Sequence, residues 1–452
     1  MDIINKLKIF STTNKAIILI ALLVFLLSIF YSFHFKITPV VDAKAYDVIA
    51  QNLVAGAGYR ENLNVDIQHD YAIARVGPLY EFFLAGIYKI FGHNYEAVWI
   101  IQAILRAVSA ILVYLTALII FEFDKNKKNI AILSALIFGF LPDLVEISAM
   151  LMTETLYLFL LCLMLYLFFR YFKSVKYWES LVLGGVSGLA ILARPPVLFF
   201  VPIILYHFFV NSKRKVAILF ICATLLTFVP WSVRNYVVYD RFMPLGAAGS
   251  FNFWIGNYHG GKGEQEPRQE QYTFVANHEM REINAESMTR FKEFLLSHPV
   301  EFVKITFLRI NKYFSFARPM GFWFYQSGWG QLLFVISSTV SSIFLFILGI
   351  WGLVKAFKQK EKMVRYLSIF TFITPLIIFI TVVETRYRFQ IYPFLALFSG
   401  YVLMYSKEKF SWWKDKILFL VIVVFFSNTI LDLMIDQAHF RDKLGPFIKY
   451  LL

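Results

Sequence analysis

The sequence predicts an all-α protein that crosses a membrane many times, and three observations carry that prediction. Hydrophobic residues make up 59% of the 452 and charged residues only 16%, with a mean hydropathy of +0.62, outside the range of soluble domains. The apolar residues fall in stretches of about 20, the length that crosses a bilayer core. Charged residues gather in short runs between them, and the runs alternate between strongly basic and nearly neutral. The same figures exclude disordered, fibrous and disulfide-scaffold classes.

Eleven spans are placed at 16–33, 96–121, 129–147, 153–170, 179–193, 195–211, 216–233, 331–354, 366–383, 389–405 and 417–434. The first follows Lys6, Lys8 and Lys15 and ends in Ser32-Phe33-His34-Phe35-Lys36. Its apolar run is long for a signal sequence and has no small-x-small cleavage pattern, so an uncleaved anchor is expected. With the amino terminus inside, the cytoplasmic turns hold clusters such as Lys125/Lys127/Lys128, Arg170/Lys173/Lys176, Lys213/Arg214/Lys215 and Lys407/Lys409/Lys414/Lys416. Six such turns carry 21 lysines and arginines, against three in the short outer turns, so one orientation satisfies the whole chain. The net charge of +14 therefore answers to anionic lipid, and no nucleic-acid partner is expected. Cys162 and Cys222 both lie inside apolar stretches and read as small buried hydrophobes.

Three regions follow: a transmembrane module over 1–233 with a first outer loop at 34–95, a second outer loop region at 234–330, and carboxy-terminal helices over 331–452. Both outer stretches are too long to be simple connectors, so function is expected there. In the first, Ala43 to Leu53 and Leu79 to Phe91 read as helices lying at the outer interface. A twelfth span opening at Tyr80 would upset the charge alternation downstream. In the second, the glycine-rich piece from Gly246 to Gly263 predicts irregular backbone. Glu279 to Leu296 reads as an amphipathic helix, and Pro299 suits the first turn of another reaching Phe314. No internal repeat appears, which counts against a secondary transporter.

Ionisable groups at the outer span ends are site candidates, because charge at a membrane boundary is costly. Asp42, just past the first span, reads either as an N-cap for the helix beginning at Ala43 or as a reactive carboxylate. Glu154 stands in the first turn of the fourth span, where a carboxylate also complements the helix dipole. Arg75 and Arg194 face outward, to bind an anion or to snorkel to lipid headgroups. Glu384-Thr385-Arg386-Tyr387-Arg388 places two arginines around an aromatic, a pattern suited to phosphate. Arg234 and Asn235 add to the outer cations. Carboxylates and guanidiniums at one depth suit a substrate with a phosphate and a group to be deprotonated. A lipid-phosphate sugar fits, and such a donor is already activated, consistent with the absence of a nucleotide-binding glycine loop.

These residues resemble the GT-C-fold membrane glycosyltransferases, in the group of dolichyl-phosphate-mannose protein mannosyltransferases and bacterial aminoarabinose transferases. Asp42 and Tyr46 followed by Gly56-Ala57-Gly58-Tyr59 resemble that family's first outer loop, and Arg75 with Pro78-Leu79-Tyr80 its second interfacial helix. Thr153-Glu154, Arg194-Pro195, Pro230-Trp231 with Arg234-Asn235, Trp254-Ile255-Gly256-Asn257 and Arg386-Tyr387 follow in the family's order. The resemblance implies Asp42 and Glu154 as catalytic carboxylates and Arg386/Arg388 as holders of donor phosphate. It adds Tyr46, Tyr59, Arg75, Arg194, Arg234, Asn257 and Tyr387 as substrate-binding residues.

It also implies a polyprenyl-phosphate sugar donor, a glycan, lipid or protein acceptor, and an active site on the outer side of the cytoplasmic membrane. Many relatives have a second acid beside the first aspartate, whereas Ala43 follows Asp42 here, so no paired acid supports a divalent metal; the sequence leaves one open and none is assigned. His259 alone in a glycine-rich loop is too few ligands for a metal. Only Asp436 to Leu452 remain after the last span, so no large carboxy-terminal domain is expected. The expected activity is an inverting glycosyltransferase with Asp42 as general base. The rival is a non-enzymatic transporter or flippase of a lipid-linked sugar, which would need its charges near the bilayer midplane.

Overall fold

The computed structural model describes residues 2–211, 213–322, 325–409 and 414–442, the side chains of 2–14, 321–322 and 406–409 excepted. The side chains of Lys6, Lys8, Lys407 and Lys409, and the tail beyond residue 442, lie outside that description. Among the described residues, regular structure is helical apart from one isolated parallel bridge between Glu264 and Val383.

Among the described residues, seven helices are long and apolar enough to cross a membrane: Lys15–Phe35 within α1 (Asp2–Phe35), α4 (Tyr95–Ile120), α7 (Thr153–Arg170), α10 (Arg214–Tyr239), α15 (Gly328–Phe357), Lys362–Ile380, and α19 (Lys416–Ile435). The chain is a multi-pass membrane protein. The span expected at 129–147 is a pair, α5 (Lys127–Gly139) and α6 (Pro142–Ala149), bent by 51°. Pro142 opens the second half, where its missing N–H removes no helical bond. Side chains of α4 satisfy a carbonyl freed at the break and two more at the far end of α6, as the bilayer demands. Arg106 of α4 donates to the Gly139 carbonyl at 2.5 Å, and Gln102 donates to those of Ser148 and Met150 at 2.9 Å each. Lys362–Ile380 is likewise α16 (Lys362–Ile373) and α17 (Leu376–Ile380), separated at Thr374-Pro375. The expected spans at 179–193 and 195–211 are shorter apolar helices, α8 (Tyr177–Ala193) and a 3₁₀ turn leading into α9 (Val201–Val210). The span at 389–405 corresponds to α18 (Tyr392–Lys409).

Close helix contact rests on small residues. Ser180, Gly184 and Gly188 repeat every four positions along α8 and face α10. A Cβ at Gly184 would meet the Phe220 carbonyl, and one at Gly188 would meet Thr227, so only glycine permits this approach. The Ser180 hydroxyl donates to the Val216 carbonyl at 2.6 Å.

Both helices expected within 34–95 form, α2 (Asp42–Val54) and α3 (Leu79–Phe91). Asp47 ties them to α4, accepting from the hydroxyls of Tyr88 at 2.6 Å and Tyr95 at 2.8 Å. The stretch expected at 234–330 begins later, because α10 continues through Pro230 to Tyr239. It holds α11 (Ala248–Gly256), α12 (Gln269–Asn277), α13 (Met280–Ser297) and α14 (Pro299–Tyr313), the last two where amphipathicity and Pro299 place them. A second, smaller apolar core including Ile73, Trp231, Phe251, Trp254 and Ile283 joins these two long stretches.

Candidate active site

Five helix ends meet at one polar pocket. Asp42 is the first residue of α2 and Glu154 the second of α7; Arg194 directly follows α8. Arg386 stands in the 3₁₀ segment Thr385–Ile391, and Arg75 follows the turn Tyr71–Ala74. The pocket is lined by Asp42, Tyr46, Arg75, Glu154, Arg194, Arg386 and Tyr387, together with Tyr71, Asn252 and Gln265 among others.

The Asp42 carboxylate does not cap its helix. Its Oδ1 accepts from Arg75 Nη1 at 2.9 Å and its Oδ2 from Arg386 Nη2 at 2.8 Å. Two guanidiniums on one carboxylate are a stronger claim than the orphan N–H groups of a short interfacial helix. Val41, just before it, adopts φ 48° and ψ −116°, a strained conformation for a β-branched residue. Arg75 is held from its other side by Glu61, whose two oxygens accept at 2.8 and 2.9 Å. Glu154, 2% exposed, pairs with Arg194 at 2.6 Å. The Arg194 guanidinium lies 5.0 Å from the Tyr387 ring centroid and that of Arg386 lies 5.7 Å from it, so one aromatic supports both cations.

Burial works against charge on Asp42, but Arg386 and Arg75 outweigh it and hold the carboxyl below its usual range. Burial also opposes charge on Arg386, and Asp42 outweighs it, so the guanidinium is held more firmly protonated than usual. Burial raises the Glu384 carboxyl, with Arg386 opposing. Glu81, behind the pocket on α3, is raised by burial to about 7 although the Tyr59 hydroxyl donates to it at 2.8 Å.

Seven of the eleven residues expected to form the site line this pocket. The other four are engaged elsewhere. Arg388 donates to the Ser315 carbonyl at 2.9 Å and the Tyr392 hydroxyl at 3.0 Å, and lies 3.8 Å from Asp143. Alternate residues share a face in a strand, but in a 3₁₀ turn of three residues they diverge by about 120°, so Arg386 and Arg388 separate. Tyr59 packs on Trp231 and bonds Glu81, and Arg234 lies over Tyr59, Trp231 and Tyr239. Asn257 donates to the Ile380 carbonyl at 3.0 Å and accepts from Arg309 at 2.8 Å.

Glu61, Tyr71, Asn252, Gln265 and the buried Arg309 were not foreseen. Arg309 fastens the second outer loop to the turn before Arg386, donating to the carbonyls of Gly256, Gly263 and Phe379. Its only sequence signal is an arginine on the apolar side of an amphipathic helix.

Both Asp42 oxygens and both Glu61 oxygens are taken by guanidiniums, so this donor set does not fit a divalent cation. Glu264, Asp436 and His439 do come together, but Lys312 and Arg318 contact both acids at 2.8–3.4 Å. His259 pairs with Glu301 at 2.8 Å.

Beside the polar pocket lies an apolar cavity of about 310 Å³, walled by Pro195, Pro196, Leu198, Phe199, Leu245, Phe253, Ile377, Ile378 and Val382. Val76, Arg194, Ala248, Asn252 and Tyr387 line both spaces. Leu198 and Phe199 are 45% and 40% exposed, so the cavity reaches the surface between apolar helices.

Residues 75–233 match the family model of dolichyl-phosphate-mannose-protein mannosyltransferases. An uncharacterized protein of Aquifex aeolicus is 29% identical over 161 residues, 34% of this chain and 31% of that protein. The fold is similar to crystal structures of the Archaeoglobus fulgidus oligosaccharyltransferase. The apo form aligns with TM-score 0.52 at 14% identity over 93% of this chain and 55% of the other. The complex with Zn and sulfate aligns with TM-score 0.50 at 13% identity over 90% and 52%. The chain thus spans about half the length of that enzyme and about a third of the curated relative. The protein has the GT-C fold, and over residues 75–233, about a third of the chain, it is similar to the dolichyl-phosphate-mannose-protein mannosyltransferases.

Proposed function

We propose that the protein is a GT-C glycosyltransferase that moves a monosaccharide from a polyprenyl-phosphate carrier to an acceptor on the outer side of the cytoplasmic membrane. One observation carries this reading: a pocket of carboxylates and guanidiniums shares a wall with an apolar cavity that reaches the surface between helices. A lipid phosphate has that same division, with its tail in the cavity and its phosphate where Arg194, Asn252 and Tyr387 border both spaces. All the ionisable groups stand at helix ends, which favours surface chemistry over passage through the bilayer midplane.

The acceptor oxygen or nitrogen attacks the anomeric carbon as the bond from that carbon to the phosphate oxygen breaks, inverting the configuration. Asp42 takes the acceptor proton, help worth about 10²- to 10⁴-fold in rate. The departing carrier changes from a phosphodiester to a monoester and gains one negative charge, while Asp42 loses one. Arg75 and Arg386, which neutralise Asp42 beforehand, can transfer their hydrogen bonds to the phosphate as this happens. The polar pocket has only about 40 Å³ of free space, room for about three waters. Phosphate therefore enters by separating ion pairs already present, and a donor that draws Arg386 off Asp42 makes that carboxylate a better base.

A photoreactive polyprenyl phosphate tests the reading. It should label the cavity wall at 195–199 or 376–382, and excess unlabelled polyprenyl phosphate should abolish the labelling. Labelling spread evenly over the apolar surface would contradict it.

A further inference from the structure

The end of α8 and α10 remote from the Asp42 pocket carries a groove of a different character. A space of about 650 Å³ opens between the turn before α8 and the turn before α10. Its cations are Lys176, Lys213, Arg214 and Lys215, set above Val175 and Val216. Other lysines have acidic neighbours: Lys173, in the turn before α8, pairs with Glu122, and Lys355, in the last turn of α15, with Asp415. Among the described residues, the four groove cations have none. Glu179, the nearest acid in sequence, instead accepts from the Lys176 backbone N–H at 2.7 Å.

Two features identify the occupant as a lipid. Tyr177 and Trp178, at the groove's edge, are 58% and 57% exposed, as befits aromatics at a membrane interface. Below them the outward faces of both helices are bare hydrocarbon, with Leu181 and Val182 on α8 and Ile218 on α10 exposed. A soluble anion would meet the cations but leave this strip uncovered, and zwitterionic lipid would cover the strip but not balance the charge.

We propose that this groove binds the phosphoryl headgroup of an anionic phospholipid, whose acyl chains lie along the exposed apolar faces of α8 and α10. The site lies about 25 Å from Arg194, the length of the 17-residue α8. Because Gly184 and Gly188 lock α8 to α10, a lipid that clamps their near ends steadies the helices that carry Arg194 and Arg234 at their far ends.

The test measures thermal stability of the purified full-length protein in mixed micelles with phosphatidylglycerol, with phosphatidylcholine, or with inorganic phosphate alone. Phosphatidylglycerol should raise the melting temperature by about 3–5 °C over phosphatidylcholine. Inorganic phosphate should leave it unchanged. The variant K176Q/K213Q/R214Q/K215Q should melt with the wild type in phosphatidylcholine and lose the increment, whereas K358Q/K360Q should retain it. An equal increment in the groove variant, or an increment from phosphate alone, would overturn the proposal. Should the groove variant fail to fold, native mass spectrometry of the wild type supplied with both lipids decides. Retention should favour phosphatidylglycerol by about tenfold or more, and equal retention would overturn the proposal.

Discussion

Replacing Asp42 by Asn separates two roles that the geometry gives one carboxylate. The substitution keeps the shape and one acceptor oxygen but removes the base and the charge that Arg75 and Arg386 share at 2.9 and 2.8 Å. Loss of the base should lower the rate of sugar transfer by about 10²- to 10⁴-fold. Affinity for the carrier should move the opposite way. A hydrogen bond to a charged group is worth about 1.5–3 kcal/mol and a neutral one about 1 kcal/mol. Freeing Arg386 from its anion should therefore tighten binding of polyprenyl phosphate by about 0.5–2 kcal/mol, or about 2- to 30-fold. Turnover is read from transfer of labelled sugar, and affinity from calorimetric titration of polyprenyl phosphate into the purified variant. A variant that turns over at the wild-type rate would remove Asp42 from the chemistry. A slow variant that binds the carrier no more tightly would refute the competition for Arg386. The competition also fixes a pH signature. Asp42 must be ionised to act, and the two arginines hold its carboxyl low in the free protein. The acid limb of kcat, which reports the donor complex, should thus lie at higher pH than that of kcat/KM.

Other parts of the site make separate predictions. Gly249 lines the apolar cavity with nothing near its Cβ direction, so Gly249→Phe should fold normally yet raise KM for long-chain donors at least about tenfold while sparing short-chain ones. Steady-state kinetics with two chain lengths would show it. Glu81 has its carboxyl raised from 4.5 to about 7, so its contribution to stability is full below pH 4.5 and lost as pH rises through 7. The wild type should lose about 3 kcal/mol across that window relative to Glu81→Gln, visible as melting temperatures that diverge with pH. A Cβ at Gly256 would collide with the Thr381 carbonyl, so Gly256→Ala should displace the loop that Arg309 fastens. Proteolysis should then cut within 257–268 faster while the helical circular dichroism holds.

Much of this architecture was readable because it is periodic or local. Apolar runs and alternating basic turns mark the spans, Pro299 opens α14, and Asp42, Glu154 and Arg194 stand out as charges at span ends. The failures came where a residue's role depends on a partner far along the chain. Asp42 read as well as a cap as it did a reactive group, and only the approach of Arg386, 344 positions away, decides between them. Arg388 reads as a partner of Arg386 because the two flank one aromatic, whereas the 3₁₀ turn sends it to Asp143. Pro142 was present as a signal for the bend between α5 and α6, but its effect depends on Arg106 donating to the exposed Gly139 carbonyl. Gln265 and Asn252 carry no charge, and although Asn252 stands two residues before the Trp254-Ile255-Gly256-Asn257 motif, only the packing of α11 brings it to the pocket.

The central claim is that the Asp42 pocket breaks the bond between a sugar and a lipid phosphate. Its most direct test is to incubate the purified protein with a panel of radiolabelled polyprenyl-phosphate monosaccharides and follow the label as it leaves the carrier. The account predicts that at least one carrier loses its sugar with wild-type protein and retains it with Asp42→Asn. Release by both proteins alike, or from no carrier in the presence of envelope acceptors, would contradict it.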